Sequence, residues 1–250
     1  MNYNTRFLSV QQRKETKAMC VSISRDVTIE RVKKLADIRS EMIKDVDNLH
    51  VKLQPGNKKT GVNCWTISLL PIVDCVNCSE CKWKCYDIRN DLIYPNVIKD
   101  RCKNSAIHLI DRKRFWAEID AQVKANFIQE LRINVGGDLA SDDFKYVKEL
   151  GESNPKTMIV FFTKNYDGIN AFLGIDKLPE NVHPIMSTWQ GMEMKNPYNL
   201  PQSHVLHRDG TTTAPDFGAY YCGGNCSECA FKGEGCWNLK QGEHVVFKEH

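Results

Sequence analysis

Apolar residues recur along this chain with two different periods, and the change between them marks the elements. From Thr28, the residues Ile29, Val32, Leu35, Ile38, Met42, Val46 and Leu49 return at three- and four-residue steps. That spacing predicts an amphipathic helix with a charged outer face, lying on a larger body. Val62 to Pro71 reads as a first strand with Cys64 near its start, its buried apolar stretch running from Trp65 to Ile72. Asn96–Ile110 and Arg112–Phe127 read as consecutive helices, the second with a buried stripe of Trp116, Ile119, Val123 and Phe127. Cys102 and His108 fall in the first of these and are read as a buried Cys and a satisfied or surface His.

Beyond residue 130 short apolar runs alternate with helical patterns. Leu131–Val135, Thr157–Thr163, Val182–Thr188 and His204–Arg208 read as strands. Ser141 is placed to cap a helix reaching about Glu152, and a short helix follows from Tyr166 to Leu173. Uninterrupted apolar strands between helices predict an α/β fold with a parallel sheet, open or curled into part of a barrel. The expected organisation is an N-terminal helical extension over 1–60, a βα partial barrel over 61–215, and a Cys-rich segment over 216–250 packed on the barrel.

Composition changes the picture at one point, the cysteines. There are 11 in 250 residues, and the polar start carries no export signal. In a chain expected to be cytoplasmic, that number points to metal ligation rather than disulfides. Cys75, Cys78, Cys81 and Cys85 follow the first strand with C-x2-C-x2-C-x3-C spacing, the pattern of bacterial ferredoxin runs. Asn77, Ser79, Glu80, Lys82 and Lys84 make this run a polar loop rather than core. Cys222, Cys226, Cys229 and Cys236 form a second group among Gly223, Gly224, Gly233 and Gly235. That group suits a second [4Fe-4S] cluster or a zinc ion.

Net charge is +3, with thirteen Lys/Arg against seven Asp/Glu in residues 1–60. This mild basic bias leaves nucleic acid a weakly supported partner, and no stretch has the length of a membrane span. The loop Gln54–Gly61 is rich in Gly and Lys but lacks a phosphate-loop pattern. No Ser–His–Asp or paired-carboxylate constellation stands out. Notable residues do gather at expected strand ends: Gly136-Gly137-Asp138, Thr163-Lys164-Asn165, Ser187-Thr188-Trp189-Gln190 and His207-Arg208-Asp209. In parallel α/β proteins that edge holds the ligand. His204 and His207 also fall near this mouth.

A Cys-rich loop after the first strand, then a Gly-Gly-acidic turn after the second, resembles the radical S-adenosylmethionine (SAM) superfamily. In that superfamily three Cys of a C-x3-C-x2-C loop hold a [4Fe-4S] cluster whose open iron binds SAM. Here that literal spacing occurs at Cys222, Cys226 and Cys229, and the acidic residue is Asp138. A closer resemblance, over most of residues 56–237, is to the bacteriophage gene-product-88 family, itself radical-SAM-like in outline. It rests on Gly56–Gly61, Trp65–Leu69, Cys75, Cys81-x3-Cys85-Tyr86, Arg132–Asp138, Phe162-Thr163-Lys164, and Cys222, Cys226, Cys229 and Cys236-Trp237. Cys78 is an addition to that pattern.

The resemblance implies a cluster-binding partial barrel of viral origin, with Cys75, Cys81 and Cys85 as first-choice ligands and Cys78 a fourth ligand or a competitor. Gly136, Gly137, Asp138, Ser187 and Arg208 are the candidates to hold SAM or a substrate. Two readings stay open: a SAM-dependent radical enzyme of unknown substrate, or a non-catalytic iron–sulfur or zinc module contacting a host, viral or nucleic-acid partner.

Overall fold

The computed structural model describes residues 24–57 and 60–249. Seven strands form one sheet: β1 (Cys64–Ile67), β2 (Glu130–Ile133), β3 (Met158–Thr163), β4 (Val182–Ser187), β5 (Gln202–Leu206), β6 (Ala219–Tyr221) and β7 (His244–Lys248). Their order is β1-β2-β3-β4-β5-β7-β6, and every neighbouring pair is parallel. Among the described residues seven α-helices accompany them: α1 (Arg25–Ile43), α2 (Tyr86–Ile93), α3 (Pro95–Ile110), α4 (Arg112–Ala125), α5 (Asp143–Ser153), α6 (Tyr166–Leu173) and α7 (Cys226–Lys232). The α/β class read from the sequence is therefore present, as a seven-stranded parallel sheet with helices.

Register sorts the strand residues onto two faces. Trp65, Leu131 and Ile159 are aligned partners, as are Ile67, Ile133 and Phe161. This face packs on Phe115, Trp116 and Ile119 of α4, Phe144 and Val147 of α5, and Ile169 and Phe172 of α6. Each large side chain buried here contributes about 1.5–3 kcal/mol against leaving it in water. The alternate residues face the other way, because side chains along a strand alternate. Cys64, Val160 and Ile185 thus form a second cluster with Trp237, against which Phe162, Cys226, Cys229 and Cys236 pack. A third cluster joins Leu35 and Met42 of α1 to Ile98, Cys102 and Ala106 of α3.

Several boundaries differ from the pattern reading, each for a local reason. The first strand is only four residues long, because Val62 is exposed and the chain leaves the sheet after Ile67. Phe127 does not continue the α4 stripe. It lies past the helix end at φ 52°, 88% exposed. Ile29 likewise points outward from α1, where Thr28 and Arg31 are buried instead. Ser141 is not the cap of α5: Asp142 holds that position, and the Ser141 hydroxyl accepts from Asn165. α2 follows the cysteine run directly, and its eight residues offer only the pair Ile88 and Leu92 as a helical period. The tail expected to pack on the sheet enters it, as β6 and β7. Residues 1–23, the greater part of the segment read as loose, lie outside the described residues. No helix of those described is long and apolar enough to cross a membrane.

Candidate functional site

The loop holding Cys75, Cys78, Cys81 and Cys85 leaves the C-terminal end of β1 and is pinned there by one carboxylate. Asp74 accepts from the Leu70 amide at 2.8 Å and from Arg39 of α1 at 2.6 Å, while its carbonyl accepts from the Asp138 amide beyond β2. Asn77 then donates to the Lys164 carbonyl beyond β3. A 3₁₀ turn, Glu80–Lys84, carries Cys81, and Cys85 stands at the N-cap of α2. The carboxyls of Asp209 and Glu249, which follow β5 and β7, are lowered, Asp209 mainly by its hydrogen bonds to Thr211 and Glu249, against burial, mainly by the Arg208 amide. Lys84, in the same turn, is a lesser positive charge near both. The loop therefore reaches across the C-terminal edge of the sheet, from β1 toward β7.

Within it the sulfurs of Cys78 and Cys81 are 4.0 Å apart, and Cys78 also lies against Cys75. Two thiols so close cannot both ionise easily, so one goes up and the other down. Contact with Cys75 and Cys81 raises the Cys78 thiol. Cys81 falls to about 6, through the Cys78 thiol first and the Lys164 ammonium second. A thiolate at neutral pH is the form that ligates metal. Cys85 differs: burial pushes its thiol up to about 12, and its side chain packs on the α1–α3 cluster.

The Gly-Gly-Asp turn serves the fold. A Cβ on Gly136 would meet the Asp87 carboxylate and the Arg101 guanidinium, and Gly137, at φ 80°, presses on Leu69. Asp138 is buried and accepts from the Leu139 amide at 2.7 Å and the Lys164 amide at 2.8 Å, one on each oxygen. Burial still raises its carboxyl above the usual range. Ser187 sits at the end of β4, where its hydroxyl accepts from Ser203, and the Arg208 amide donates to Glu249. A small pocket near them is lined by Thr188, Trp189, His207 and Thr213, with the Lys164 ammonium 5.9 Å from the Trp189 ring centre. His204 is buried below it, bonded through Nδ1 to Thr188 and Thr213 and through Nε2 to His244 at 3.0 Å.

The second cysteine group lies over the sheet face turned away from α4, α5 and α6. Ser227 of α7 donates to Glu130, the first residue of β2, and its amide donates to the Thr60 carbonyl. α7 is thereby seated across the starts of β1 and β2. Cys222, Cys226, Cys229 and Cys236 line a single pocket, together with Arg132, Phe162, Tyr220 and Trp237. The Cys222 sulfur accepts from the Gly224 amide at 3.4 Å, and Tyr220 Oη lies 3.4 Å from Cys229. Cys226 is brought to about 6 by the Cys64 thiol and then by Arg132, whose Nη1 is 3.9 Å from the sulfur.

Cys64 and Arg132 were not picked out by spacing. The available signal was a charged residue between two apolar ones, Leu131-Arg132-Ile133, which places it on the sheet face opposite the helices. Among the described residues, no three His, Cys, Asp or Glu side chains converge tightly enough to hold one metal ion. The thiol sets are instead spread around a pocket and a loop. Thiol sulfur is the donor at both groups, a ligand type suited to soft metals such as zinc and the iron of iron–sulfur clusters.

A family model described as gene product 88 matches residues 40–212. That span contains the first cysteine loop, Arg132 and strands β1 to β5, and ends before Cys222. No curated protein and no solved structure matches the chain.

Proposed function

The chain belongs to the gene product 88 family, and we propose that it is an iron–sulfur protein whose first cluster is held by Cys75, Cys78 and Cys81, with Cys85 beside them. The observation that carries this reading is the contact of Cys78 with both Cys75 and Cys81 at the C-terminal edge of a parallel sheet. That edge is where parallel α/β proteins bind their ligands. Cys81, held acidic by Cys78 and Lys164, would be the first thiolate available to iron. With Cys85 turned toward the α1–α3 cluster, three ligands would leave a corner of a [4Fe-4S] cluster open, and Trp189, His207 and Thr213 line a pocket beside Lys164 for a second molecule. Such a cluster supplies one-electron chemistry when bound. A thiol loop after β1 is also what the resemblance to radical SAM proteins, read from the sequence, would call for.

SAM itself is not supported by the turn that resembles its binding stretch. Both oxygens of Asp138 are held by backbone amides, and Gly136 and Gly137 face Asp87, Arg101 and Leu69. A second reading keeps the cluster closed and non-catalytic, with Cys85 as fourth ligand, because its thiol is within electrostatic reach of Cys75. The Cys222, Cys226, Cys229 and Cys236 group would hold a second cluster or zinc.

Iron, zinc and acid-labile sulfide counted on anaerobically purified protein test the proposal. Iron and sulfide should both be present, and the double variant C78A/C81A should lose one cluster's worth. Iron-free protein, or an unchanged count in that variant, would overturn it. Formation of 5′-deoxyadenosine from SAM after reduction separates an open catalytic cluster from a closed one.

A further inference from the structure

Arg132 stands in the middle of β2 with Thr66 and Val160 as its register neighbours. Its guanidinium lies 4.8 Å from the Phe162 ring centre and lines the pocket of Cys222, Cys226, Cys229 and Cys236. Nε is buried without a hydrogen-bond partner, and Nη1 reaches only a sulfur, Cys226. The nearby carboxylate, Glu130, is taken up by Ser227. Among the described residues Arg132 makes no ion pair with any carboxylate. A guanidinium removed from water without a counter-charge is costly, and proteins pair such groups.

We propose that Arg132 is the counter-charge of an anionic tetrathiolate centre in this pocket, a positioning residue that holds the centre and sets its ease of reduction. This rests on the reading that the second cysteine group binds a cluster or zinc. Charge arithmetic is the same for either occupant. Four thiolates around a zinc(II) ion, or around an oxidised [4Fe-4S] core of charge 2+, leave a net charge of −2. Reduction of the cluster by one electron takes it to −3. A fixed positive charge favours both the assembled centre and, more strongly, the reduced one. Among the described residues no other cation lines the pocket.

The experiment compares full-length wild type with R132Q and R132K, reconstituted anaerobically. Chelator competition reads the retention of metal by the C-terminal group, and redox titration reads the midpoint potential where that metal is iron. R132Q should hold the metal about 10- to 100-fold less tightly, the usual effect of removing a group that supports metal ligands. Its cluster should also be harder to reduce, while R132K restores most of both. Circular dichroism and urea unfolding of the metal-free proteins show whether R132Q folds, and R132K gives the same comparison should it not. Loss of metal from the C-terminal group already in wild type would sink the underlying reading. Metal bound equally by all three proteins, at one potential, would sink the assignment to Arg132 alone.

Discussion

Arg101 and Asp87 form a bidentate ion pair directly beneath Gly136, with N–O distances of 2.5 and 2.9 Å. Asp87 is the second residue of α2, immediately after the cysteine loop, and Arg101 belongs to α3. Both are buried. The pair thus locks the exit of the thiol loop to the turn that ends β2.

Removing one partner leaves a buried charge uncompensated, which costs about 3–5 kcal/mol. D87A should therefore lower the unfolding free energy by about that amount, measured by urea denaturation of the metal-free protein. G136A should destabilise as well, since the added methyl would displace the carboxylate. A G136A protein as stable as wild type would refute the role given to this close approach.

Cys81 owes its low thiol pKa to Cys78 first and Lys164 second. In metal-free protein at pH 7, alkylation of Cys81 by iodoacetamide should slow in K164M and slow further in C78A. A rise of one pKa unit reduces the thiolate fraction by up to about tenfold. Mass spectrometry of the labelled peptides gives the order of the two effects. The opposite order would contradict the geometry.

Burial, and then the neighbouring His244, bring His204 down to about 4, against an ordinary 6.5. Its unfolded form takes up a proton as pH falls through about 6.5, whereas the folded form stays neutral until about pH 4. Stability from this group is complete above the unfolded pKa and is lost as pH falls through that window. The loss is on the order of 2 kcal/mol. Urea midpoints at pH 7.5 and 4.5 should converge in H204Q relative to wild type. A pH dependence unaltered by the substitution would remove His204 from this role.

Gly235 has φ 60°, and a Cβ there would lie 3.1 Å from the Tyr220 ring and 3.4 Å from the Cys229 sulfur. An alanine in this left-handed conformation costs about 1–2 kcal/mol. G235A should lower the thermal midpoint and weaken metal retention by the C-terminal group. Calorimetry with metal analysis measures both, and a variant indistinguishable from wild type would count against Gly235 as the residue that turns Cys236 toward the pocket.

Local chemistry made much of this molecule legible from residue order. The run of apolar residues in Met158–Thr163 dictates a doubly covered strand, and alternation with helices dictates parallel pairing. Tyr166–Leu173 was readable to the residue because Asn165 caps it and Ile169 and Phe172 carry its buried side. Of the thiols spaced through residues 75–85, the short spacing brings Cys78 against Cys75 and Cys81, whereas Cys85 packs against α1 and α3. Tertiary structure decided the rest. Only strand register could bring Arg132 and Cys64, from β2 and β1, to face thiols more than ninety residues later. Only packing could turn the Gly-Gly-Asp stretch inward, onto a buried ion pair and two amides. Sequence spacing fixes which groups are neighbours along a few turns of chain. Contacts between distant segments depend on which sheet face each residue occupies, and that is settled when the strands align.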